Sequence, residues 1–114
     1  STPLLTDMDL IPQIYKEFNL IRPPLPERRD AMKAREFFIF LILWYYSPAT
    51  LLGGKMLTGL RDRIADAVRI AAGSAISNIY PNLYFLYKRQ KTFRAELNLI
   101  YAEMEKKMRE KGWL

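Results

Sequence analysis

Apolar residues recur at helical spacing near both ends of the chain. In residues 7–18 they fall three or four positions apart, which predicts a short amphipathic helix capped by Thr6 or Asp7. A longer helix is expected from Thr92 to about Lys111, with Gly112 as its C-terminal stop. Its apolar side carries Phe93, Leu97, Ile100 or Tyr101, Met104 and Met108. We expect the charged last turns of this helix to project into solvent.

The longest apolar run is the ten residues from Phe37 to Tyr46. Its aromatic and β-branched residues would also suit a strand, but the helix-forming residues 31–36 lead into it and Asp30 is available as an N-cap. As a helix the run would span about 15 Å, roughly half of a bilayer core. We therefore interpret it as a buried helix, and a membrane-facing or partner-facing patch is the alternative.

Turn-forming residues divide the rest of the chain. Residues 22–27, which contain three prolines, are expected to form an extended connector, or else a ligand for a proline-recognition domain. Ser47-Pro48 would open a short helix that Gly53-Gly54 ends. Pro81 would either kink a helix or separate two, with Asn82 capping the second. At 114 residues these segments predict one all-α domain of five or six helices.

Positive charge is concentrated in one part of the sequence. Residues 55–94 contain eight basic and two acidic side chains, a net +6, which equals the net charge of the whole chain. The segments before and after are balanced, with six of each sign in residues 1–54 and four of each in residues 95–114. Such a local positive field favours contact with the phosphate backbone of duplex DNA.

Two short helices around a tight turn are predicted inside this basic stretch, at about residues 58–80. Ile64, Val68 and Ile70 would anchor the first helix against Ile76 and Ile79 of the second, with Ala65 as the small residue where the helices cross. Ala71, Ala72 and Gly73 would form the turn, with Gly73 supplying unusual dihedral angles and Ser74 capping the second helix. This arrangement predicts a helix-turn-helix whose second helix faces the major groove.

The residues of this pair suggest specific contacts with DNA. Ser74, Ser77 and Asn78 lie on the outward side of the second helix, where serine and asparagine can pair with base edges. Phosphate contacts are expected from Arg61, Arg63, Arg69 and Lys88, with Lys55, Arg89, Lys91 and Arg94 as further candidates. The alternative is that these cations are ordinary solvated surface and that Asp62 and Asp66 pair with some of them.

The same segment resembles the helix-turn-helix regulators of bacteria and their phages. The resemblance covers residues 61–78 and rests on Ile64-Ala65, Val68-Arg69-Ile70 and Ser74-Ala75-Ile76-Ser77-Asn78. Two features depart from the family pattern: Arg69 stands where the turn glycine is usual, and the turn is one residue longer, with Gly73 as the extra residue. The resemblance implies sequence-specific binding of double-stranded DNA, often by a dimer, and a regulatory role in transcription.

The composition restricts the chemistry available to this chain. Neither cysteine nor histidine is present, which excludes disulfides, thiolate chemistry, Ser-His catalysis and most zinc sites. The acidic residues form no convincing catalytic pair, so we expect no enzymatic activity, no metal and no cofactor. We also expect a cytoplasmic protein that does not enter the membrane, since the first residues lack a basic region followed by an apolar run.

Other partners remain open. The apolar side of the C-terminal helix could form a homodimer seam or could pack on its own core. Tyr80, Tyr84, Phe85 and Tyr87 lie among cations and could stack on unpaired bases, but core packing of Phe85 and one or two tyrosines is favoured. The main alternative function is a non-enzymatic assembly or adaptor protein that uses the aromatic and C-terminal helices as contact surfaces.

Overall fold

The predicted all-α fold is confirmed by the computed structural model, which describes residues 2–23, 25–70 and 73–114. No strand occurs within these ranges. Six helices are longer than one turn, α3 is a single turn, and two short 3-10 helices occupy Met8–Leu10 and Tyr80–Asn82. The α-helices are α1 (Ile11–Ile21), α2 (Arg28–Tyr46), α3 (Pro48–Leu51), α4 (Leu60–Val68), α5 (Gly73–Ile79), α6 (Leu83–Arg89) and α7 (Lys91–Glu110).

The centre of the fold is α2, as the apolar run predicts. Every residue from Phe37 to Tyr46 except Trp44 is buried, and Trp44 is 43% exposed. The helix contacts α1, α3, α4 and α6, so it is covered along most of its length. It begins at Arg28, two residues before the expected cap at Asp30. The Asp30 carboxylate instead accepts hydrogen bonds from the Arg22 guanidinium and from the backbone N–H of Leu25.

Helix α7 packs on α1 and α6 along its whole length. Its apolar side is buried in the core of the same chain, including the second half (Phe93, Leu97, Ile100, Met104 and Met108). The expectation that the last turns project away from the core is therefore wrong, although most of their charged side chains are exposed, and Lys111 reaches Glu17 of α1 at 3.6 Å. Tyr101 is half-buried, and the core position is Ile100. These side chains are not available as a dimer seam.

The connections follow the predicted turn residues. Pro81 lies in the short 3-10 helix that separates α5 from α6, with Asn82 at the N-cap position of α6. At the end of α7, Gly112 has φ +75° and the backbone N–H of Trp113 donates to the Met108 carbonyl at 2.8 Å. This left-handed glycine ends the helix, as predicted.

A polar cluster joins three helices at one side of the core. The Arg22 guanidinium, just after α1, binds Asp30 of α2 at 2.8 and 3.1 Å and Glu96 of α7 at 2.8 Å, and it lies over the Phe37 ring at 5.3 Å.

The radius of gyration of 13.1 Å is that of one globule of this length. The basic segment is thus part of this one globule, and α4 and α5 carry exposed residues on its surface.

Candidate nucleic-acid interface

Helices α4 and α5 pack against each other through the residues predicted for this purpose. Ile64 and Ile76 are fully buried, and Ala65 and Val68 are nearly so. Ala65 is small, which lets the second helix approach the first closely. Helix α4 also contacts α1 and α2, so the pair is anchored to the core through its first member. The predicted contact between α4 and α5 is therefore present, but Ile79, which the sequence also assigns to it, is only half-buried.

The end of α4 is closed by an arginine in a conformation that glycine normally adopts. Arg69 has φ +59° and ψ +45°, the left-handed region. The Ile70 N–H donates to the Ala65 carbonyl at 2.9 Å, and the Arg69 N–H donates to the Asp66 carbonyl at 3.3 Å. These two bonds define the Schellman type of helix end, in which the left-handed position favours glycine. Arg69 thus occupies a helix-ending position at which a glycine would carry no steric cost.

Gly73 has a different role from the one expected. It is the first residue of α5. A Cβ at Gly73 would lie 2.7 Å from Asp62 Oδ1 and 3.0 Å from Arg61 Nε. The missing side chain therefore leaves room for the side chains of Arg61 and Asp62 beside the start of α5. The two alanines predicted to form the turn, Ala71 and Ala72, lie outside the described residues.

The three predicted base-contacting residues share one side of α5. Ser77 and Asn78 follow Ser74 by three and four positions in a helix of seven residues. Ser74 and Asn78 are exposed, whereas Ser77 is half-buried. Ser74 is the second residue of α5, so the prediction that it caps the helix is wrong.

Arg61 links α4 to α5 through one of these residues. Its Nη1 atom donates a hydrogen bond to the Ser77 hydroxyl oxygen at 3.1 Å. Arg61, a predicted phosphate contact, and Ser77, a predicted base contact, are thus in direct contact. The Ser77 hydroxyl oxygen already accepts a hydrogen bond within the protein.

The other predicted phosphate contacts lie in different surroundings. Arg63 forms an ion pair with Asp9 at 2.7 Å, which ties α4 to the N-terminal segment. Arg69 is exposed at the end of α4. The ammonium of Lys88 lies 5.5 Å from the centre of the Tyr84 ring. The backbone carbonyl of Lys88 accepts a hydrogen bond from the Arg94 guanidinium at 3.1 Å. Lys88 therefore belongs to a second cationic group where α6 meets α7, with Arg89, Lys91 and Arg94.

Most of the positive charge in residues 55–94 is not neutralised by acidic neighbours. Seven of its eight basic side chains are exposed and Arg94 is partly exposed. Within the described residues, Arg63–Asp9 is the one ion pair that involves this segment. The remaining cations can therefore meet an external anion without first breaking an internal ion pair.

A small polar pocket lies between α4, α5 and the loop that precedes α4. Its volume is about 300 Å³, and it contains two cations, three hydroxyl groups and one carboxylate. The polar lining consists of Lys55, Thr58, Arg61, Asp62, Ser77 and Tyr80. The charge pattern of the sequence includes Lys55 and Arg61, but nothing in it places Thr58 and Tyr80 beside them, because these contacts depend on how the loop folds back.

The aromatic residues of α6 do not all enter the core. Phe85 is 60% exposed, so the favoured core placement of its ring is wrong, and the Arg89 guanidinium lies over the ring at 5.7 Å. Tyr87 packs inward and stacks on Phe40 with ring centres 5.3 Å apart. An exposed ring with a cation above it can contact a base or another apolar surface.

A larger apolar groove lies elsewhere on the molecule. It has a volume of about 580 Å³ between α2, α3, α6 and α7, and its lining contains no charged side chain. Leu4, Trp44 and Leu52 border it and are exposed. Such a neutral, aromatic depression is suited to an apolar ligand or to a side chain of a partner protein.

The described residues show neither a metal site nor a membrane span. No three acidic side chains in ranges 2–23, 25–70 and 73–114 come together as metal ligands would. In the same ranges, no helix combines the length and apolar character needed to cross a bilayer.

Comparison with known proteins finds no matching family model, no matching curated protein and no matching solved structure.

Proposed function

We propose that this protein binds double-stranded DNA in a sequence-specific manner through α4 and α5, as a regulator of transcription. One observation carries the proposal: α5 exposes Ser74 and Asn78 next to a helix and loop whose cations Arg61 and Lys55 form no ion pair within the described residues. Base-contacting groups flanked by free positive charge are what a duplex requires from a recognition element.

The anchoring of the helix pair supports this proposal. Helix α4 is fixed to the core by buried Leu60, Ile64 and Val68, and α5 is fixed to α4 by Ile76. Rigid placement keeps the exposed side of α5 in a constant orientation, so that short side chains such as serine and asparagine can discriminate between base edges. Arg69 and the α6–α7 cations would extend the phosphate contacts on either side.

Selection of preferred sequences from a pool of random duplexes tests the proposal. The wild-type protein is expected to enrich a defined motif, and the double variant Ser74→Ala/Asn78→Ala is expected to lose that preference while it keeps its fold and its general affinity for DNA. Each lost base contact should reduce discrimination by about 1–3 kcal/mol. The matched control is Gln13→Ala, an exposed amide on α1. Enrichment of the same motif by the double variant would contradict the proposal.

The apolar groove supports a second candidate function, that of an assembly or adaptor protein. Exposed Leu4, Trp44 and Leu52 around an uncharged depression are unusual for the surface of a monomer. An adaptor would keep its partner when Ser74 and Asn78 are replaced by alanine, and it would lose the partner when Leu52 is replaced by glutamate. A DNA-binding protein would lose its preference for particular duplexes when Ser74 and Asn78 are replaced by alanine. It would keep that preference when Leu52 is replaced by glutamate.

A further inference from the structure

We propose that the polar pocket between α4, α5 and the preceding loop holds one phosphate group of the DNA backbone, clamped between Lys55 and Arg61. The inference deepens the proposed function and rests on it for the identity of the macromolecule. The pocket itself is defined by the geometry of its lining residues.

The charge of the pocket favours an anion. Lys55 and Arg61 contribute two positive charges and Asp62 contributes one negative charge, which leaves a net charge of +1. An arginine guanidinium presents several N–H groups in a plane that matches two phosphate oxygens, and a lysine ammonium adds a compact charge from another direction. A single tetrahedral anion can meet both cations because they border the same pocket.

The neutral groups of the pocket suit the same ligand. The hydroxyl groups of Thr58 and Tyr80 can each donate a hydrogen bond to a phosphate oxygen. Gly59 has φ +85° and no heavy atom within 4 Å of the position that a Cβ would take, so the backbone there is open to a ligand. A volume of about 300 Å³ accommodates a phosphate with part of its sugar.

Ser77 has a positioning role in this site. Its hydroxyl oxygen accepts a hydrogen bond from Arg61 Nη1 at 3.1 Å, which holds the guanidinium at the mouth of the pocket. The remaining N–H groups of Arg61 can then donate to the anion. Ser77 therefore acts through Arg61 on the phosphate backbone rather than on a base edge.

The position of the pocket connects it with the exposed side of α5. Ser77 borders the pocket, and Ser74 and Asn78 lie three positions before it and one position after it on the same side. A phosphate bound here would fix the duplex against α5 at the residues proposed to contact bases. The clamp would thus set the register of the protein on the groove.

Titration with inorganic phosphate, followed by amide chemical shifts in two-dimensional NMR, tests the pocket without DNA. Saturable shifts are expected at Lys55, Gly59, Arg61 and Ser77, and they should disappear in the Arg61→Gln variant. The control variant Lys106→Gln removes an exposed cation on α7 and should leave the shifts unchanged. Shifts that are absent, or that persist in Arg61→Gln, would overturn the proposal.

The salt dependence of duplex binding tests the clamp on DNA. If Lys55 and Arg61 hold the same phosphate, the double variant Lys55→Gln/Arg61→Gln should reduce the slope of log K against log salt by about 1, and each single variant by less, because the other cation still neutralises that phosphate. Two independent phosphate contacts would instead give a reduction of about 2 in the double variant, and this result would overturn the single-phosphate clamp. Lys106→Gln should leave the slope unchanged.

These two experiments separate failure of the pocket from failure of the proposed function. Shifts with inorganic phosphate in a protein that does not bind duplex DNA would support the anion pocket and contradict DNA binding. Duplex binding whose slope does not respond to the double variant Lys55→Gln/Arg61→Gln would support DNA binding and overturn the clamp.

Discussion

Arg61 and Ser77 are sixteen positions apart in the sequence and are joined by a hydrogen bond of 3.1 Å from the guanidinium to the hydroxyl oxygen. The bond crosses from the first helix of the predicted DNA-binding pair to the second. It engages a serine that the sequence assigns to base contact and orients an arginine that the sequence assigns to phosphate contact. The two assignments are therefore linked, and replacement of Ser77 gives a direct means to separate them.

Replacement of Ser77 by alanine is expected to weaken binding to all duplexes by a similar factor. Loss of one hydrogen bond that orients Arg61 corresponds to about 0.5–1.5 kcal/mol, or roughly a two- to tenfold loss of affinity. The measurement is fluorescence anisotropy with several duplexes of different sequence. A change in preference at one base pair, with unchanged affinity for the other duplexes, would show instead that Ser77 reads a base.

Replacement of Arg69 by glycine is expected to increase the free energy of unfolding by about 1 kcal/mol, because a left-handed conformation is costly for any residue with a Cβ. Arg69 has φ +59°, so the folded wild-type protein is destabilised by this unfavourable backbone conformation. Urea unfolding monitored by circular dichroism measures the change. Arg69→Ala is the control, since it removes the same long side chain and retains the Cβ. Equal stability of the two variants would contradict the role of the backbone conformation.

Helix α7 is expected to respond to mutation as part of the core of its own chain. Leu97 is buried and Leu99, two positions away on the same helix, is 71% exposed. Leu97→Ala should lower the free energy of unfolding by about 2–5 kcal/mol, because it leaves a cavity. Leu99→Ala should change it by less than about 0.5 kcal/mol. Similar effects of the two replacements on urea unfolding would contradict the placement of α7.

Stability is expected to fall in acid partly through Asp30. Hydrogen bonds from the Arg22 guanidinium, and then from the Leu25 N–H, hold the pKa of Asp30 below its ordinary value of 3.8. The folded state therefore binds this proton more weakly than the unfolded state does. The stabilisation is complete above about pH 3.8 and is lost as the pH falls through the lower pKa of the folded protein.

Urea unfolding between neutral pH and about pH 3 checks this contribution. Asp30→Asn should lower stability at neutral pH and make the decline towards acid shallower. Asp66→Asn, which changes an exposed carboxylate on α4, should leave the shape of the decline unaltered. A decline in Asp30→Asn as steep as that of the wild type would contradict the role of the Arg22–Asp30 contact.

The fold was predictable where one physical pattern determined the structure. The apolar run 37–46 had to be buried, Pro81 had to interrupt a helix, and Gly112 could adopt the left-handed conformation that ends α7. The placement of the last turns of α7 was not predictable, because α1 covers them and only the three-dimensional packing brings Glu17 to Lys111. The charged side chains of these turns are mostly exposed, but the buried Met104 and Met108 hold the helix itself against the core.

The candidate site was predictable in part. The packing of α4 on α5 followed from the spacing of their apolar residues, whereas the left-handed residue of the turn did not, because glycine is ordinarily favoured there and the structure places Arg69 in that conformation. Gly73 looked like the turn residue, but it permits close approach of Arg61 and Asp62. The bond from Arg61 to Ser77 depends on the orientation of two helices, which side-chain spacing within each helix does not determine.

Titration of a labelled random duplex with the wild-type protein, measured by fluorescence anisotropy over a series of salt concentrations, tests the central claim most directly. The account predicts binding at low salt that weakens steeply as salt increases, because several exposed cations of residues 55–94 displace counterions from the phosphate backbone. Absence of binding at low salt would contradict the claim and would direct attention to the apolar groove and a protein partner.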